Sequence, residues 1–227
     1  MLNTRVNIFE IFKSINGEVT ASHQGSICTF VRLAGCNFNT SPCSWCDTSK
    51  ALNLSSGKSM FIGDVLKQVK ELGCRNITLT GGEPLYQKSV NDLIVSLAEF
   101  GYDVSLETNG SISIDNNTID YLHCIVADYK LPSSGCENKM NWNLFKKLRS
   151  FDFIKMAIAN EEDLIRAGQV YSIMKGADIQ AQFAFSPVIK FGEESKITPK
   201  DIFNYLVSQN INDVIINIQM HKIFNFE

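Results

Sequence analysis

An α/β fold built on parallel strands is predicted by three observations. Short runs rich in Ile, Val, Phe and Thr alternate with helical patterns along most of the chain. Polar motifs fall directly after several of those runs. No Pro- or Ser-rich linker and no internal repeat interrupts the alternation, so a single domain over residues 1–227 is expected.

Residues 6–12 and 27–34 read as strands, the second closed by Gly35. A Ser-, Gly- and Lys-containing stretch at 55–59 reads as loop. Phe61, Val65, Leu66, Val69 and Leu72 then recur at helical spacing, and Gly73 ends the pattern. Further strands are expected at 76–80, 103–107, 124–128, 153–158, 179–185 and 213–218, with helices at 90–100, 142–149, 161–175 and 199–208. Strands that alternate with helices form parallel β-α units, which close into a barrel when there are eight. Too few are present for closure, and periodicity alone does not separate an incomplete barrel from a doubly wound open sheet. Both place ligand sites at the C-terminal ends of strands. Cys36, Gly81-Gly82-Glu83-Pro84, Thr108-Asn109-Gly110 and Lys130 all fall there.

The chain has 21 Lys plus Arg against 24 Asp plus Glu, a formal charge of −3, and 44% hydrophobic residues, which excludes intrinsic disorder. The balance argues against bulk electrostatic binding of nucleic acid or acidic membranes, so an anionic ligand has to be small and locally held. No apolar run approaches the roughly 18 residues of a membrane-spanning helix. An odd count of seven cysteines and the absence of a secretory leader point to a reducing cytoplasm, with thiols free or metal-bound.

Cys36, Cys43 and Cys46 lie in one loop, whereas Cys28, Cys74, Cys124 and Cys136 are scattered. A redox pair at Cys43 and Cys46 is one reading and a structural zinc site another, but zinc ordinarily takes four protein ligands. A [4Fe-4S] cluster held by three thiolates leaves one iron open to a substrate or cofactor, which suits three clustered thiols. Cys28 and Cys124 sit in apolar strand patterns and read as core. Cys136 has no assignment.

The order of motifs extends over nearly the whole chain: Glu10 to Glu18, Phe30-Val31-Arg32, the cysteine loop ending in Cys46-Asp47-Thr48, Thr80 to Leu85, Glu107 to Gly110, and Gln219-Met220-His221-Lys222. This set resembles the 7-carboxy-7-deazaguanine synthase family of radical S-adenosylmethionine (SAM) enzymes. Two departures stand out: six residues, including Pro42, separate Cys36 from Cys43, and Asn16 stands where the family generally has Gln.

The resemblance implies a partial TIM-like barrel of about six parallel strands. It also implies a [4Fe-4S] cluster on Cys36, Cys43 and Cys46 that binds SAM and reduces it to a carbon radical. Gly82, Glu83, Glu107, Asn109, Asp128, Tyr129, Lys130, Ser186 and Pro187 are the implied SAM neighbours. The implied substrate is 6-carboxy-5,6,7,8-tetrahydropterin, contacted by Ile15, Asn16, Gly17, Glu18, Arg32, Asp47, Thr80, His221 and the α-carboxylate of Glu227. Thr48 is the implied Mg2+ ligand. An electron donor such as flavodoxin or ferredoxin and a homodimeric state follow by the same analogy.

Read without the resemblance, several of these residues have plainer roles. Arg32 in an apolar strand is either an outward-facing edge arginine or a planar fork for a carboxylate. Asp47-Thr48-Ser49 suits a helix cap, a strand-end lysine such as Lys130 suits solvent, and Gly81-Gly82 suits a turn. Two other functions compete: a radical SAM activase acting on a glycyl-radical partner, and a zinc-binding interaction module.

Overall fold

The computed structural model describes residues 1–189, 195–224 and 226. One nine-stranded sheet runs through them in the order β3-β1-β2-β4-β5-β6-β7-β8-β9. β1 (Arg5–Ile15) pairs antiparallel with β2 (Ile27–Leu33) and, on its other side, with the short edge strand β3 (Lys58–Phe61). From β2 onward every pairing is parallel, through β4 (Asn76–Gly81), β5 (Asp103–Thr108), β6 (Cys124–Asp128), β7 (Phe153–Ile158), β8 (Gln182–Pro187) and β9 (Val214–Ile216).

Each parallel strand is added beside its predecessor, without the reversal of order that defines a doubly wound sheet. That order is the one of an incomplete barrel. Seven strands run parallel, one more than the approximate six expected, the last being the three-residue β9.

The helices α1 (Ile62–Leu72), α2 (Val90–Glu99), α5 (Glu161–Gly176) and α6 (Pro199–Ser208) bury apolar stripes against one face of this sheet. Val31, Leu33, Ile77, Leu79, Val104 and Leu106 supply that face from β2, β4 and β5. Each fully buried Leu, Ile or Phe side chain contributes roughly 1.5–3 kcal/mol of transfer free energy, so the layer favours one strand register. Gly73 ends α1 in the left-handed conformation at φ 71°, as its position after the helical pattern predicts.

Several boundaries differ from the sequence pattern for identifiable reasons. β3 falls in the stretch read as loop and helix start, because only Met60 of its four residues is buried. The helix expected at 142–149 is the single turn α4 (Trp142–Phe145), since Asp152 accepts from both the backbone and the guanidinium of Arg149 and folds the segment back. A short helix, α3 (Asn116–Ile119), starts at a cap from Asp115. β8 starts at Gln182 and not at 179, because Asp178 adopts φ 56° and Ile179 donates its N–H back to Met174. The last turn, α7 (Met220–Phe224), carries His221 and Lys222.

Candidate active site

Period-two alternation aims one side chain per strand away from the helices and into a common cavity: Arg32 from β2, Thr80 from β4, Glu107 from β5, Asp128 from β6, Lys155 from β7 and Ser186 from β8. Arg32 is in register with Thr80, and Asp128 with Lys155. The cysteine loop after β2 and the segment around α7 complete the lining.

Cys36, Cys43 and Cys46 all line this cavity. The Phe38 N–H and the Asn109 side-chain amide approach Cys36 Sγ at 3.4 and 3.8 Å, placing donors where a thiolate needs them. Burial raises the Cys36 thiol and pushes Cys43 up to about 12, so both favour the protonated form and would have to give up their protons to hold iron. Among the described residues no three His, Cys, Asp or Glu side chains converge closely enough for a single metal ion. Three thiols lining one cavity match in number the ligand set of a cluster that leaves one iron open.

Behind the lining, Glu83 ties the loop ends together. Its carboxylate accepts from the Thr108 hydroxyl at 2.8 Å, the Asn109 N–H at 2.6 Å and the Leu85 N–H at 3.0 Å. It is fully buried, does not line the cavity and holds the Asn109 backbone. Asn109 in turn donates to Asn37 in the cysteine loop at 3.1 Å. A Cβ on Gly82 would stand 2.4 Å from the Gly35 carbonyl oxygen, so glycine is required where the cysteine loop crosses the end of β4.

Four cations and four acids line the cavity: Arg32, Lys130, Lys155 and Lys222 against Glu18, Asp47, Glu107 and Asp128. Lys155 contacts Glu18 and lies 3.2 Å from Asp128, which also holds Lys130 at 2.5 Å. Burial would raise the Asp128 carboxyl, but Lys130 and Lys155 outweigh it and keep it below its ordinary range. Burial raises Glu107 despite Lys155. Lys130 sits 5.1 Å over the Trp45 ring, so it is a buried, paired cation and not a solvated one.

Glu10, opposite Arg32 in register, accepts from Arg32 Nε at 2.7 Å. That contact and the Phe12 ring, 5.6 Å from the guanidinium carbon, orient the group, and its two terminal NH2 groups make no hydrogen bond among the described residues. A Cβ on Gly17 would stand 2.0 Å from His221 Nδ1, so the imidazole lies directly on the Gly17 backbone. Burial lowers His221 and favours its neutral form. Asp47 pairs with Lys222 at 2.9 Å, which joins the cysteine loop to α7. Thr48 precedes a 3-10 turn at Ser49–Ala51 without a side-chain cap bond, so the capping role is not used and its hydroxyl faces the cavity beside Cys46.

Of the residues expected at the site, Ile15, Gly17, Glu18, Arg32, Asp47, Thr48, Thr80, Gly82, Glu107, Asn109, Asp128, Lys130, Ser186, His221 and the three loop cysteines meet in this cavity. Asn16 does not. Its amide donates to Ser26, and its oxygen accepts from Thr78 at 2.7 Å and from Cys28, so its side chain belongs to the sheet interior. Tyr129 points to the other face, against Phe145, as alternation from Asp128 requires. Pro187 ends β8 outside the lining, and Glu227 lies outside the described residues. Lys155 and Trp45 also line the cavity, as do Thr108, Gln219 and Lys222, which lie within the quoted motifs but carry no role there. The flanking Ile154 and Met156 were the available signal for Lys155, since alternation puts a residue between two core side chains on the opposite face.

The radical SAM superfamily profile matches residues 31–122, which hold the three loop cysteines, Gly82 and Asn109. A protein of Clostridium acetobutylicum named 7-carboxy-7-deazaguanine synthase is 37% identical over 223 residues, covering 95% of this chain and 94% of that one. A protein of the same name from Methanospirillum hungatei is 34% identical, covering 96% of this chain and 84% of that one. In fold, the chain is similar to the crystal structure of QueE from Escherichia coli, with a TM-score of 0.71 at 18% identity over 96% of this chain and 95% of that one. It is also similar to Streptococcus suis SuiB bound to S-adenosylmethionine, with a TM-score of 0.52 at 14% identity over 80% of this chain and 44% of that one. No helix among the described residues is long and apolar enough to cross a membrane. With identity this high over nearly its full length, the chain belongs to the 7-carboxy-7-deazaguanine synthase family of radical SAM enzymes, which act in 7-deazapurine biosynthesis.

Proposed function

We propose that this chain, acting as one radical SAM domain, converts 6-carboxy-5,6,7,8-tetrahydropterin to 7-carboxy-7-deazaguanine with release of ammonia. The observation that carries the reading is the meeting of three loop thiols, an oriented Arg32 and a neutral His221 in one cavity. Cys36, Cys43 and Cys46 hold the [4Fe-4S] cluster. When bound, the cluster and SAM supply a carbon radical able to remove hydrogen from the substrate.

The protein's own part is placement and shielding. Gly82, Glu107, Asn109, Asp128, Lys130 and Ser186 border SAM, and Glu83 holds Asn109 from behind. Arg32 receives the pterin carboxylate on its free NH2 groups, since a planar fork matches a carboxylate in both spacing and charge. The Ile15 to Gly17 backbone, Glu18, Asp47 and Thr80 face the ring edge, where carboxylates and a hydroxyl can accept from amino and ring N–H groups. His221, neutral and packed on Gly17, closes one side. Thr48 contributes its hydroxyl, which makes no cap bond and lies beside Cys46 Sγ, to Mg2+, an ion that retains several waters and binds few protein groups. Asn16 contributes no side-chain contact, because its amide is committed to Ser26 and Thr78.

A low-potential donor of the flavodoxin or ferredoxin type, a homodimeric state and a cytoplasmic setting complete the proposal. A peptide-binding activase would have little use for an arginine whose orientation is fixed by Glu10 on the wall of the cavity that holds the three loop cysteines. The test is anaerobic reconstitution with iron and sulfide, then incubation with the carboxytetrahydropterin, SAM, Mg2+ and dithionite. Formation of 7-carboxy-7-deazaguanine, reduced by chelation of Mg2+, supports the reading. Formation of 5′-deoxyadenosine without a deazaguanine product contradicts the substrate assignment.

A further inference from the structure

Lys155 stands alone on β7 as a cation flanked by core residues, and the cavity is organised around it. Its ammonium contacts Glu18 Oε2 and lies 3.2 Å from Asp128 Oδ1. Each of these carboxylates uses its second oxygen elsewhere: Gln219 donates to Glu18 Oε1 at 2.6 Å, and Lys130 lies 2.5 Å from Asp128 Oδ2. The sequence of contacts Gln219, Glu18, Lys155, Asp128 and Lys130 is therefore continuous. It links the segment before α7, the segment after β1, β7 and the end of β6 through side chains, in addition to the β6–β7 ladder and the bond from the Met220 N–H to the Gly17 carbonyl.

Burial opposes a charge on Lys155, yet Asp128, Glu18 and Glu107 together hold its ammonium well above its ordinary range. An ammonium has three donors and a compact charge, so it can fix two carboxylates in different directions at once. Without it, Glu18, Glu107 and Asp128 would face one cavity with their shared cation gone, and repulsion would turn the side chains away from their present directions.

We infer that Lys155 is the positioning residue that sets the pterin and SAM subsites relative to one another, by holding Glu18 on the pterin side and Asp128 with Lys130 on the SAM side. The inference rests on the ligand placement of the proposed function. Its distinctive consequence is that one substitution on β7 weakens both ligands and loosens the coupling of radical formation to product formation, because reacting atoms displaced by even an ångström react poorly.

The test compares full-length reconstituted wild type, Lys155→Met and Lys155→Arg under anaerobic conditions. Isothermal titration calorimetry measures SAM binding and, separately, binding of the unreactive analogue 6-carboxypterin. Turnover then gives KM, kcat and the ratio of 5′-deoxyadenosine to deazaguanine. Lys155→Met is expected to weaken each ligand about tenfold or more and to raise that ratio, while retaining iron and a cooperative thermal transition. Lys155→Arg, which keeps the charge on a differently shaped group, should weaken both ligands by a smaller factor.

Wild-type affinity for either ligand in folded Lys155→Met would overturn the inference, since the residue would then serve one subsite or neither. If Lys155→Met does not fold, Lys155→Arg decides: a loss of about threefold or more for both ligands supports the inference, and unchanged affinities reject it. Failure of the wild type itself to bind 6-carboxypterin or to form the deazaguanine would instead reject the proposed substrate, an outcome read on a different protein sample from the one that tests Lys155.

Discussion

The backbone N–H of Asn109 donates to Glu83 Oε2 at 2.6 Å, so a side chain just beyond β4 fixes the first residue beyond β5. Burial raises this carboxyl from 4.5 to about 7 even though three donors point at it. A folded-state value above the unfolded one means that the native protein holds the proton more tightly. The stability from this group is complete below pH 4.5 and is lost as the pH rises toward about 7, a change of about 3 kcal/mol. Glu83→Gln, which does not titrate, should remove that component. Urea unfolding midpoints at pH 5.5 and 7.5 should differ less in the variant than in the wild type, and an unchanged difference would show that Glu83 is ionised throughout.

Arg32→Lys keeps a positive charge but cannot bond Glu10 through Nε and still present two NH2 groups to a carboxylate. Loss of a charge-assisted hydrogen bond costs about 1.5–3 kcal/mol, so kcat/KM for the pterin should fall by roughly 10- to 150-fold. SAM binding should be preserved. Kinetics close to wild type would remove Arg32 from the substrate site.

Gly17→Ala places a methyl group where His221 Nδ1 now lies 2.0 Å from the built Cβ position. The imidazole has to move, and Met220, whose N–H donates to the Gly17 carbonyl at 2.9 Å, moves with it or strains that bond. The expected result is a higher KM for the pterin with iron content and SAM affinity unchanged. An unchanged KM would show that His221 is not part of the substrate wall.

Cys46→Ser should abolish stable iron binding, whereas Cys74→Ser should leave iron content as in the wild type. Cys136 is the informative control: it is fully buried, its Sγ lies 3.9 Å from Cys43 Sγ, and it packs with Cys36 and Phe38. Those contacts make it a wall of the cluster loop, so Cys136→Ser should retain iron when reconstituted. Loss of iron in that variant, measured by chelation assay and visible absorbance, would make Cys136 a ligand.

The sequence carried the parallel architecture and the cavity's principal residues because both follow from short-range pattern. Strand alternation put Arg32, Thr80, Glu107 and Asp128 on one face, and strand ends exposed the loops that follow. It did not carry the direction in which strands are added, because partner choice depends on contacts between distant segments. Asn16 illustrates the same limit: its amide is captured by Thr78, 62 residues away, so its neighbours in the chain give no sign that it leaves the cavity. Glu83 was legible as important but not in its role, since the donors that surround it come from β5 and its own turn. Lys155 lacked a motif, and only its place between Ile154 and Met156 marked its direction.

In the proposed reaction a carboxytetrahydropterin lies in the cavity of Arg32, His221 and the three loop cysteines, and the radical removes hydrogen from its C6. The most direct measurement uses substrate deuterated at C6, with SAM, Mg2+ and reductant, and follows deuterium by mass spectrometry. Hydrogen removal from C6 puts deuterium in 5′-deoxyadenosine or recovered SAM together with 7-carboxy-7-deazaguanine. Deazaguanine formed with no deuterium in either nucleoside, or 5′-deoxyadenosine formed with no deazaguanine, would contradict it.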